Sequence, residues 1–400
     1  MSRHVFRSAA LLTAISLLLA GCAITYSIKP ELLPSAEASA MVQQWPLTVG
    51  LYVTPKVRSQ EFSRGVAHVP AGNELASSFQ WAVSQLFANV VVLDAAPTAG
   101  NIPNGIAGIV ELSDVDLHEG DKPITYEINF YSGMGVKSET WSLVGTIPLW
   151  DGERSSLSAT MQNVGTGLSY GIRDQTANFM IELPKQSVVK QWFEKSGVKE
   201  TQLRPFHVQR LSKVQTAEKV MMLPDLLTWR YTDNNSAMEC VGNRLRSYQP
   251  PVGVVAMDNV IRLEFFPWLE PSTGPKTTDD FRSWFSYPAI QDKMRELGVR
   301  YLLSLQGGTK TEIPGGGILC GASMGGGGCL GFAWGTHESA FSASLFDLQD
   351  QAEPKELTSR ETSGVYVPAF VLPIPLLVPT ESVACERLAH DLHETIVKMK

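Results

Sequence analysis

The chain has 400 residues, a length that predicts two or three domains. Its formal net charge is −7 and 44% of its residues are hydrophobic, so a sizeable core can form. The acidity disfavours binding to nucleic acid and docking on anionic lipid headgroups, because like charges repel. Composition therefore indicates a globular protein whose partners are not nucleic acids.

The first residues have the pattern of a secretory signal. Arg3 and Arg7 form a basic head, and residues 8–21 carry no charge. This apolar stretch is shorter than the roughly 20 residues that a spanning helix needs. A basic head followed by a short apolar stretch is typical of a signal peptide, so we predict that residues 1–21 are removed.

The predicted cleavage region reads Leu19, Ala20, Gly21 and Cys22. It resembles the lipobox of bacterial lipoproteins, in which the cysteine is acylated, palmitate included, and becomes the new N-terminus. The resemblance implies that Cys22 is the lipidation site and that its acyl chains attach the protein to a membrane. Ala23, where Asp usually signals inner-membrane retention, implies the periplasmic face of the outer membrane of a Gram-negative bacterium. The alternative is an ordinary signal peptide followed by an incidental cysteine.

Four further cysteines, Cys240, Cys320, Cys329 and Cys385, form an even set in a predicted exported protein. Such a set predicts disulfide bonds, with three possible pairings. We favour Cys320–Cys329, which would tie the glycine-rich stretch between them into a flexible surface loop, and therefore Cys240–Cys385. Four buried free thiols are the alternative.

The predicted organisation is a lipidated tether over residues 22–45, a first α/β domain over 46–197, a connection over 198–234 and a second α/β domain over 235–400. The fold class is α/β (α+β), with two small mixed-sheet domains and helices packed on the sheets. The tether contains prolines and small polar residues with little periodicity, which is typical of a linker.

The elements of the first domain follow from hydrophobic periodicity. Leu75, Phe79 and Val83 lie on one face of a helix, and Tyr126 and Ile128 alternate with polar residues as in a half-buried strand. The predicted elements are a strand at 47–53, a helix at 73–86, strands at 90–93, 106–117, 124–131 and 140–149, and helices at 172–183 and 186–195.

The second domain has a similar order of elements, which suggests a structural repeat. The predicted elements are a helix at 236–246, a strand at 252–257, a helix from Pro288 ended by Gly298, strands at 299–305 and 341–345, and a closing helix at 380–397. The run from Met294 to Leu305 resembles the small α/β domains of periplasmic assembly proteins, such as the curli-secretion lipoprotein and the N-terminal domain of the Tol–Pal β-propeller protein. This resemblance concerns element order and one helix–strand junction, and it implies no functional residues.

Two patterns in the sequence resemble sites that carry chemistry. Gly321 to Gly325 match the G-x-S-x-G pattern around Ser323, but the nucleophile elbow needs a helix after the serine, and consecutive glycines oppose one. Asp114, Asp116 and His118 would share one face of a strand and could hold a metal, although a solvated strand face is the simpler interpretation. We therefore predict no catalytic residue, no metal site and no cofactor.

The uncharged segment from Val365 to Val378 contains Pro368, Pro373 and Pro375, which bar it from the middle of a sheet. We interpret it as an apolar strand followed by an extended crossover into the last helix. The alternative is an exposed segment that contacts a membrane or a partner.

The predicted function is that of a membrane-anchored lipoprotein that acts as a non-catalytic binding or assembly factor in the cell envelope, with an envelope protein as its partner. The alternatives are a lipid- or glycan-handling protein with an apolar cavity and an envelope hydrolase.

Overall fold

The computed structural model describes residues 24–25, 42–64, 67–117, 123–148, 157–198, 218–223, 235–256, 259–270, 272–275, 277–323, 326–349, 353–370, 372–373 and 380–399. The chain is a mixed α/β protein that divides into two compact units. The first comprises Met1–His207 and Leu263–Gly274, and the second comprises Val208–Arg262 and Pro275–Lys400.

The first unit contains a five-stranded sheet in the order β5-β2-β6-β7-β8 and a small sheet in the order β1-β4-β3. In the larger sheet, β2 is parallel to both β5 and β6, and β6, β7 and β8 run antiparallel to one another. The strands are β1 (Ile24–Thr25), β2 (Trp45–Val53), β3 (Glu61–Arg64), β4 (Ala67–Pro70), β5 (Phe87–Val92), β6 (Gly108–Asp116), β7 (Pro123–Ser132) and β8 (Lys137–Pro148). The helices are α1 (Pro55–Arg58), α2 (Gly72–Leu86), α3 (Leu157–Glu182) and α4 (Ser187–Lys195), with a 3₁₀ turn at Leu183–Lys185.

Helices α2 and α3 cover one face of the five-stranded sheet. The apolar stripe of α2 is buried, including Leu75, Phe79 and Val83. The Phe79 ring meets the Phe179 ring of α3 with centroids 4.6 Å apart, and Tyr126 of β7 belongs to the same core. The apolar face of the helix, with its period of 3.6 residues, therefore packs against the apolar face of the strand, with its period of two.

An ion pair fastens the segment Leu263–Gly274 to α3 inside the first unit. The Nε of Arg173 lies 3.2 Å from Oε1 of Glu270, and both side chains are at most 1% exposed. Next to this pair, the backbone N–H and the hydroxyl of Ser272 donate to the carboxylate of Asp174 at 2.7 and 2.5 Å. Buried charge therefore connects two segments that are almost 100 residues apart in the chain.

We expect Glu270→Ala to destabilise the first unit by about 3–5 kcal/mol, because it removes the counter-charge of a buried guanidinium. The matched control is Lys185→Ala, which breaks the exposed pair with Glu182 and should cost about 0–1 kcal/mol. Urea unfolding followed by tryptophan fluorescence measures both. Equal costs for the two variants would contradict the assignment of the buried pair as a fastening between these segments.

The second unit contains a six-stranded sheet in the order β10-β9-β11-β12-β13-β14. Its strands are β9 (Lys219–Leu223), β10 (Val254–Ala256), β11 (Val299–Ser323), β12 (Gly326–Asp347), β13 (Lys355–Phe370) and β14 (Leu372–Pro373). The remaining helices of the chain are α5 (Asn235–Ser247), α6 (Asn259–Glu264), α7 (Thr278–Phe285), α8 (Pro288–Leu297) and α9 (Thr380–Met399). Strand β9 is parallel to β10 and β11, and β11 to β14 form an antiparallel meander.

The structural repeat suggested by the sequence is present in the topology. In each unit a first strand is followed by a helix and a parallel neighbour on one side, then by a parallel neighbour on the other side. Two further antiparallel strands and a long helix complete each unit, with α3 and α9 in equivalent places. The halves thus share one topology without a readable sequence repeat.

A disulfide between Cys240 and Cys385 joins α5 to α9 across 145 residues. It is one of the two disulfides predicted from the sequence. Its sulfurs lie among buried apolar side chains of both helices, including Val241, Leu245 and Leu388. The bond therefore connects the two helices that cover the second sheet.

We expect the double variant Cys240→Ala, Cys385→Ala to lose about 2–4 kcal/mol of stability, because the bond closes a long loop in the unfolded chain. Urea unfolding of the oxidised chain, the reduced chain and the variant measures this loss. The reduced wild-type chain should match the variant. Unchanged stability on reduction would contradict a stabilising role for the bond.

Two differences from the sequence analysis concern the second sheet. The stretch 198–234, which its composition predicts to be only a polar connection, supplies β9, the second strand of the six-stranded sheet. The expected flexible loop between Cys320 and Cys329 is wrong for the backbone, which continues as paired strands up to Ser323 and again from Gly326. The two cysteines are register partners in this hairpin. The hydrogen bonds of a continuous antiparallel ladder pair the backbone N–H and C=O groups. They offset the conformational entropy that the glycines lose on folding.

The first part of the proline-containing segment forms a strand, as predicted. Residues up to Phe370 belong to β13, and Pro368 pairs with Phe332 of β12. Strand β14 has no partner for Pro368, since its register covers only Ala369 and Phe370. Proline therefore sits where only one neighbouring strand is present, as its missing N–H requires. Within the described residues, no helix is long and apolar enough to cross a membrane.

Candidate functional site

A pocket of about 580 Å³ lies in the first unit at the carboxyl ends of the parallel strands β2 and β5. This volume is in the range of small-molecule sites, and the carboxyl edge of parallel strands is where ligands commonly bind in α/β sheets. We call it the strand-end pocket. Its lining comprises the end of β2, the helix α1 with its cap and the residues that end and follow β5: Tyr52, Val53, Pro55, Arg58, Ser59, Val92, Leu93 and Asp94.

Helix α1 is held at the pocket by its own cap. The hydroxyl of Thr54 accepts a 3.4 Å bond from the N–H of Val57 and donates to the carbonyl of Ser113 in β6 at 2.9 Å. Pro55 occupies the first turn, where its missing N–H costs nothing. The side chain of Val57 is fully buried. These contacts hold α1 at the end of the sheet, where Arg58 lines the pocket.

A row of polar side chains crosses the sheet face opposite α2 and α3. Register places Tyr52 beside Glu111 and Glu111 beside Asn129. Oε2 of Glu111 accepts from Nδ2 of Asn129 at 2.8 Å and from the phenol of Tyr131 at 2.6 Å. The hydroxyl of Thr140 donates to Oδ1 of Asn129 at 2.7 Å. We call these four linked residues, Glu111, Asn129, Tyr131 and Thr140, the Glu111 network.

The centre of the Glu111 network is buried, whereas Tyr131 is half-buried and Thr140 is exposed. Glu111 and Asn129 are each 6% exposed, and Tyr52, which also lines the pocket, is 8% exposed. Burial, and then the hydrogen bond to the Glu111 carboxylate, raises the pKa of Tyr131 well above its ordinary value. A phenol that stays protonated donates to the carboxylate throughout the physiological range. These hydrogen bonds therefore link the side chains of β6, β7 and β8 on the sheet face beside the pocket.

Folding raises the pKa of Tyr131, so protonated Tyr131 contributes to the free energy of unfolding. This contribution is fully present below the ordinary tyrosine pKa of about 10 and is lost as the pH rises above it. We expect Tyr131→Phe to flatten the loss of stability above about pH 10. Glu111→Gln should lower the pKa of Tyr131 towards its ordinary value, because the charged acceptor is gone. Phenolate absorbance and urea unfolding measure these effects.

The control for this experiment is Thr140→Ala, which removes only the bond to Asn129 and leaves the Tyr131–Glu111 contact in place. It should not change the Tyr131 titration. A Tyr131 titration that is the same in wild type and Glu111→Gln would exclude the carboxylate as a cause.

The sequence-predicted sites fall in several places. Leu19, Ala20, Gly21 and Cys22 lie outside the described residues. Cys320 and Cys329 are opposite each other in the β11–β12 hairpin, and their bond remains a prediction.

Ser323 ends β11, and the next described element is strand β12 from Gly326. The strand–serine–helix order of a nucleophile elbow is therefore not formed there.

The three residues that the sequence suggests for a metal, Asp114, Asp116 and His118, do not form a metal site within the described residues. Asp114 forms an ion pair with Lys56 at 2.5 Å, and His118 lies outside the described residues. In the described part of the chain, no group of three His, Cys, Asp or Glu side chains is placed to hold a metal ion.

Sequence reasoning missed the strand-end pocket and the Glu111 network. The polar alternation in β7, with Glu127 and Asn129 facing away from the core, was the available signal. It did not show which residues on other strands would be their neighbours, because register is decided by pairing across the sheet.

No protein-family model and no curated protein matches the chain. Among solved structures, the chain is similar to a PelC dodecamer from Paraburkholderia phytofirmans, with 12% identity over 44% of this chain and 86% of that chain and a TM-score of 0.19.

Proposed function

We propose that the protein is a lipid-anchored envelope lipoprotein that acts as a non-catalytic binding or assembly factor. The observation that carries the anchoring is the run from Leu19 to Cys22 after a basic head and an uncharged stretch. Acylation at Cys22 would hold the body at a membrane, on the periplasmic face of the outer membrane if Ala23 is interpreted by the lipoprotein rule. No spanning helix is needed for this attachment.

The binding role is supported by the hairpin of β11 and β12. Strand β9 pairs with β11 only as far as Ser304, whereas β12 accompanies β11 to Ser323. Among the described residues, β11 from Leu305 onward therefore has one neighbouring strand, over a length of about 60 Å. We call Leu305–Ser323 the free edge of the hairpin.

The distal part of the free edge lacks the usual protection against pairing. Residues 313–336 carry no charged side chain, and no proline follows Pro314 within β11. Edge strands in proteins commonly carry charges, prolines or bulges that block further pairing. The pairing of β11 with β12 has a register shift between Glu312 and Gly315, at the start of this distal part. An uncharged edge of this kind is suited to pairing with an extended segment of a partner protein.

We expect the wild-type chain to incorporate labelled palmitate and Cys22→Ala to incorporate none, because the acceptor sulfur is absent. Ala23→Asp is the matched control, since it should keep the label and move the protein from the outer to the inner membrane. Metabolic labelling followed by membrane fractionation measures both. Label on Cys22→Ala would overturn the assignment of the anchor.

We expect Ile318→Lys on the free edge to abolish capture of the envelope partner in crosslinking from intact cells, because an added charge blocks edge pairing. Gln306→Lys adds the same charge to the same strand outside the uncharged part and should leave capture intact. Thermal unfolding must show that both variants keep the stability of the wild type. Equal capture by Ile318→Lys and wild type would exclude the free edge, and capture of a second, differently tagged copy would identify the partner as the chain itself.

A further inference from the structure

The strand-end pocket contains one cation and one anion that have no ion-pair partner within the described part of the chain. Arg58 lies at the end of α1 and Asp94 follows β5, and both are exposed. Lys56, two residues before Arg58 on the same helix, is different because it is paired with Asp114. One basic residue of α1 is thus neutralised by the protein and the other is presented at the pocket.

Apart from the hydroxyl residues Tyr52 and Ser59, the remaining lining of the pocket is apolar. Val53 and Val92 come from adjacent parallel strands, and Val92 is 41% exposed although it is a large hydrophobic side chain. Pro55 and Leu93 complete this part of the lining. A ligand that matches the pocket has an anionic group, a cationic group that can donate hydrogen bonds, and a short apolar portion.

The small sheet of the first unit ties the pocket to the start of the chain. Ile24 and Thr25 pair in parallel with Ala67 and His68 of β4, and β4 pairs with β3, which begins directly after the pocket segment. Cys22 is two residues before β1, so at most about 7 Å of chain separates it from Ile24. Adding two strand spacings and the length of β3 places Ser59 within roughly 35 Å of Cys22.

This pairing shortens the reach of the anchor. Without it, residues 22–45 could extend to about 80 Å. With it, the rim of the pocket is held near the surface to which the acyl chains on Cys22 attach. A membrane lipid headgroup is then the zwitterion that the pocket meets at the highest local concentration.

We propose that the strand-end pocket binds the headgroup of a phosphatidylethanolamine molecule, with Arg58 on the phosphate and Asp94 on the primary ammonium. The choice of a membrane lipid rests on the anchoring part of the proposed function. Guanidinium and phosphate form strong paired hydrogen bonds, and an ammonium donates to a carboxylate. The first carbons of the lipid lie against Val53, Val92 and Leu93. A purely anionic lipid is disfavoured by Asp94 and by the net charge of −7.

The direct test is calorimetric titration of the purified full chain, in an uncharged detergent, with glycerophosphoethanolamine. A dissociation constant on the order of 1 mM is expected for a headgroup without its acyl chains. Glycerol 3-phosphate and ethanolamine, which each offer one of the two charges, should bind at least about 10-fold more weakly. Arg58→Gln and Asp94→Asn should each weaken glycerophosphoethanolamine binding about 10-fold, whereas the matched control Lys56→Gln should bind like the wild type.

Each other outcome overturns the proposal. No heat of binding with glycerophosphoethanolamine excludes the site. Equal affinity for glycerol 3-phosphate means that Asp94 does not bind the ammonium, and an equal loss in Lys56→Gln means that only the general charge of α1 matters. This titration needs no membrane, so its failure is separate from a failure of the Cys22 labelling experiment.

A second measurement decides the source of the headgroup. A photoreactive phosphatidylethanolamine in membranes that contain the anchored chain should crosslink to the peptide around Arg58 and Asp94, and the crosslink should be lost in Arg58→Gln while the chain stays membrane-bound. Binding of glycerophosphoethanolamine without this crosslink would make the ligand a soluble zwitterion and overturn the lipid assignment.

Discussion

The parallel pairing of one strand with two neighbours organises each unit. Strand β2 lies between β5 and β6, and β9 lies between β10 and β11. Parallel neighbours cannot be joined by a tight turn, so the chain must cross over one face of the sheet, and a helix provides that crossover. The helices α2 and α5 follow from this constraint. The same constraint brings the carboxyl ends of β2 and β5 together, which is where the strand-end pocket lies.

The two units use the second face of their sheets differently. In the second unit, Met221 and Leu302 face away from the main apolar core and are still buried, and the Phe281 ring of α7 lies 4.5 Å from the Phe346 ring of β12. In the first unit, the corresponding face carries the Glu111 network, and Glu127 and Thr140 are exposed there. One topology therefore supports an apolar face in one unit and a polar face beside a pocket in the other. The difference between these two faces lies in their side chains and not in the topology.

The closing helix of each unit is held in its unit by different contacts. Helix α9 is joined to α5 by the Cys240–Cys385 bond, whereas α3 carries Arg173 and Asp174 to the segment around Glu270 and Ser272. The amide of Gln175 also donates to the carbonyl of Leu143 at 2.6 Å. A helix with such buried polar residues requires partners for all of them, so α3 depends on segments that are distant in sequence.

Long elements with a clear hydrophobic period could be predicted from the sequence, and short or weakly periodic elements could not. The helix that contains Phe79 and the strand that contains Tyr126 were predicted within a few residues of their observed bounds, because each has a clear apolar face. Helix α3 begins at Leu157, well before the predicted start at Ile172, since glycines and hydroxyl residues weaken its first half as a helix signal. Strand β9 was missed because only four consecutive apolar residues, Val220 to Leu223, stand inside a polar stretch, which is too short a run to show a period.

The amino-acid sequence alone determined the signal and lipobox pattern, the alternation of helices and strands, and the repeated order of elements. These are local properties, which depend on side-chain type and spacing within a short window. Only the tertiary structure decided the register that brings Tyr52, Glu111 and Asn129 side by side, and the pairing that turns a glycine-rich stretch into a long hairpin. It also decided that Arg58 is presented at the pocket while Lys56 is neutralised by Asp114. The physical reason is that strand pairing and charge pairing join residues far apart in the chain, and no local pattern specifies which partners will meet.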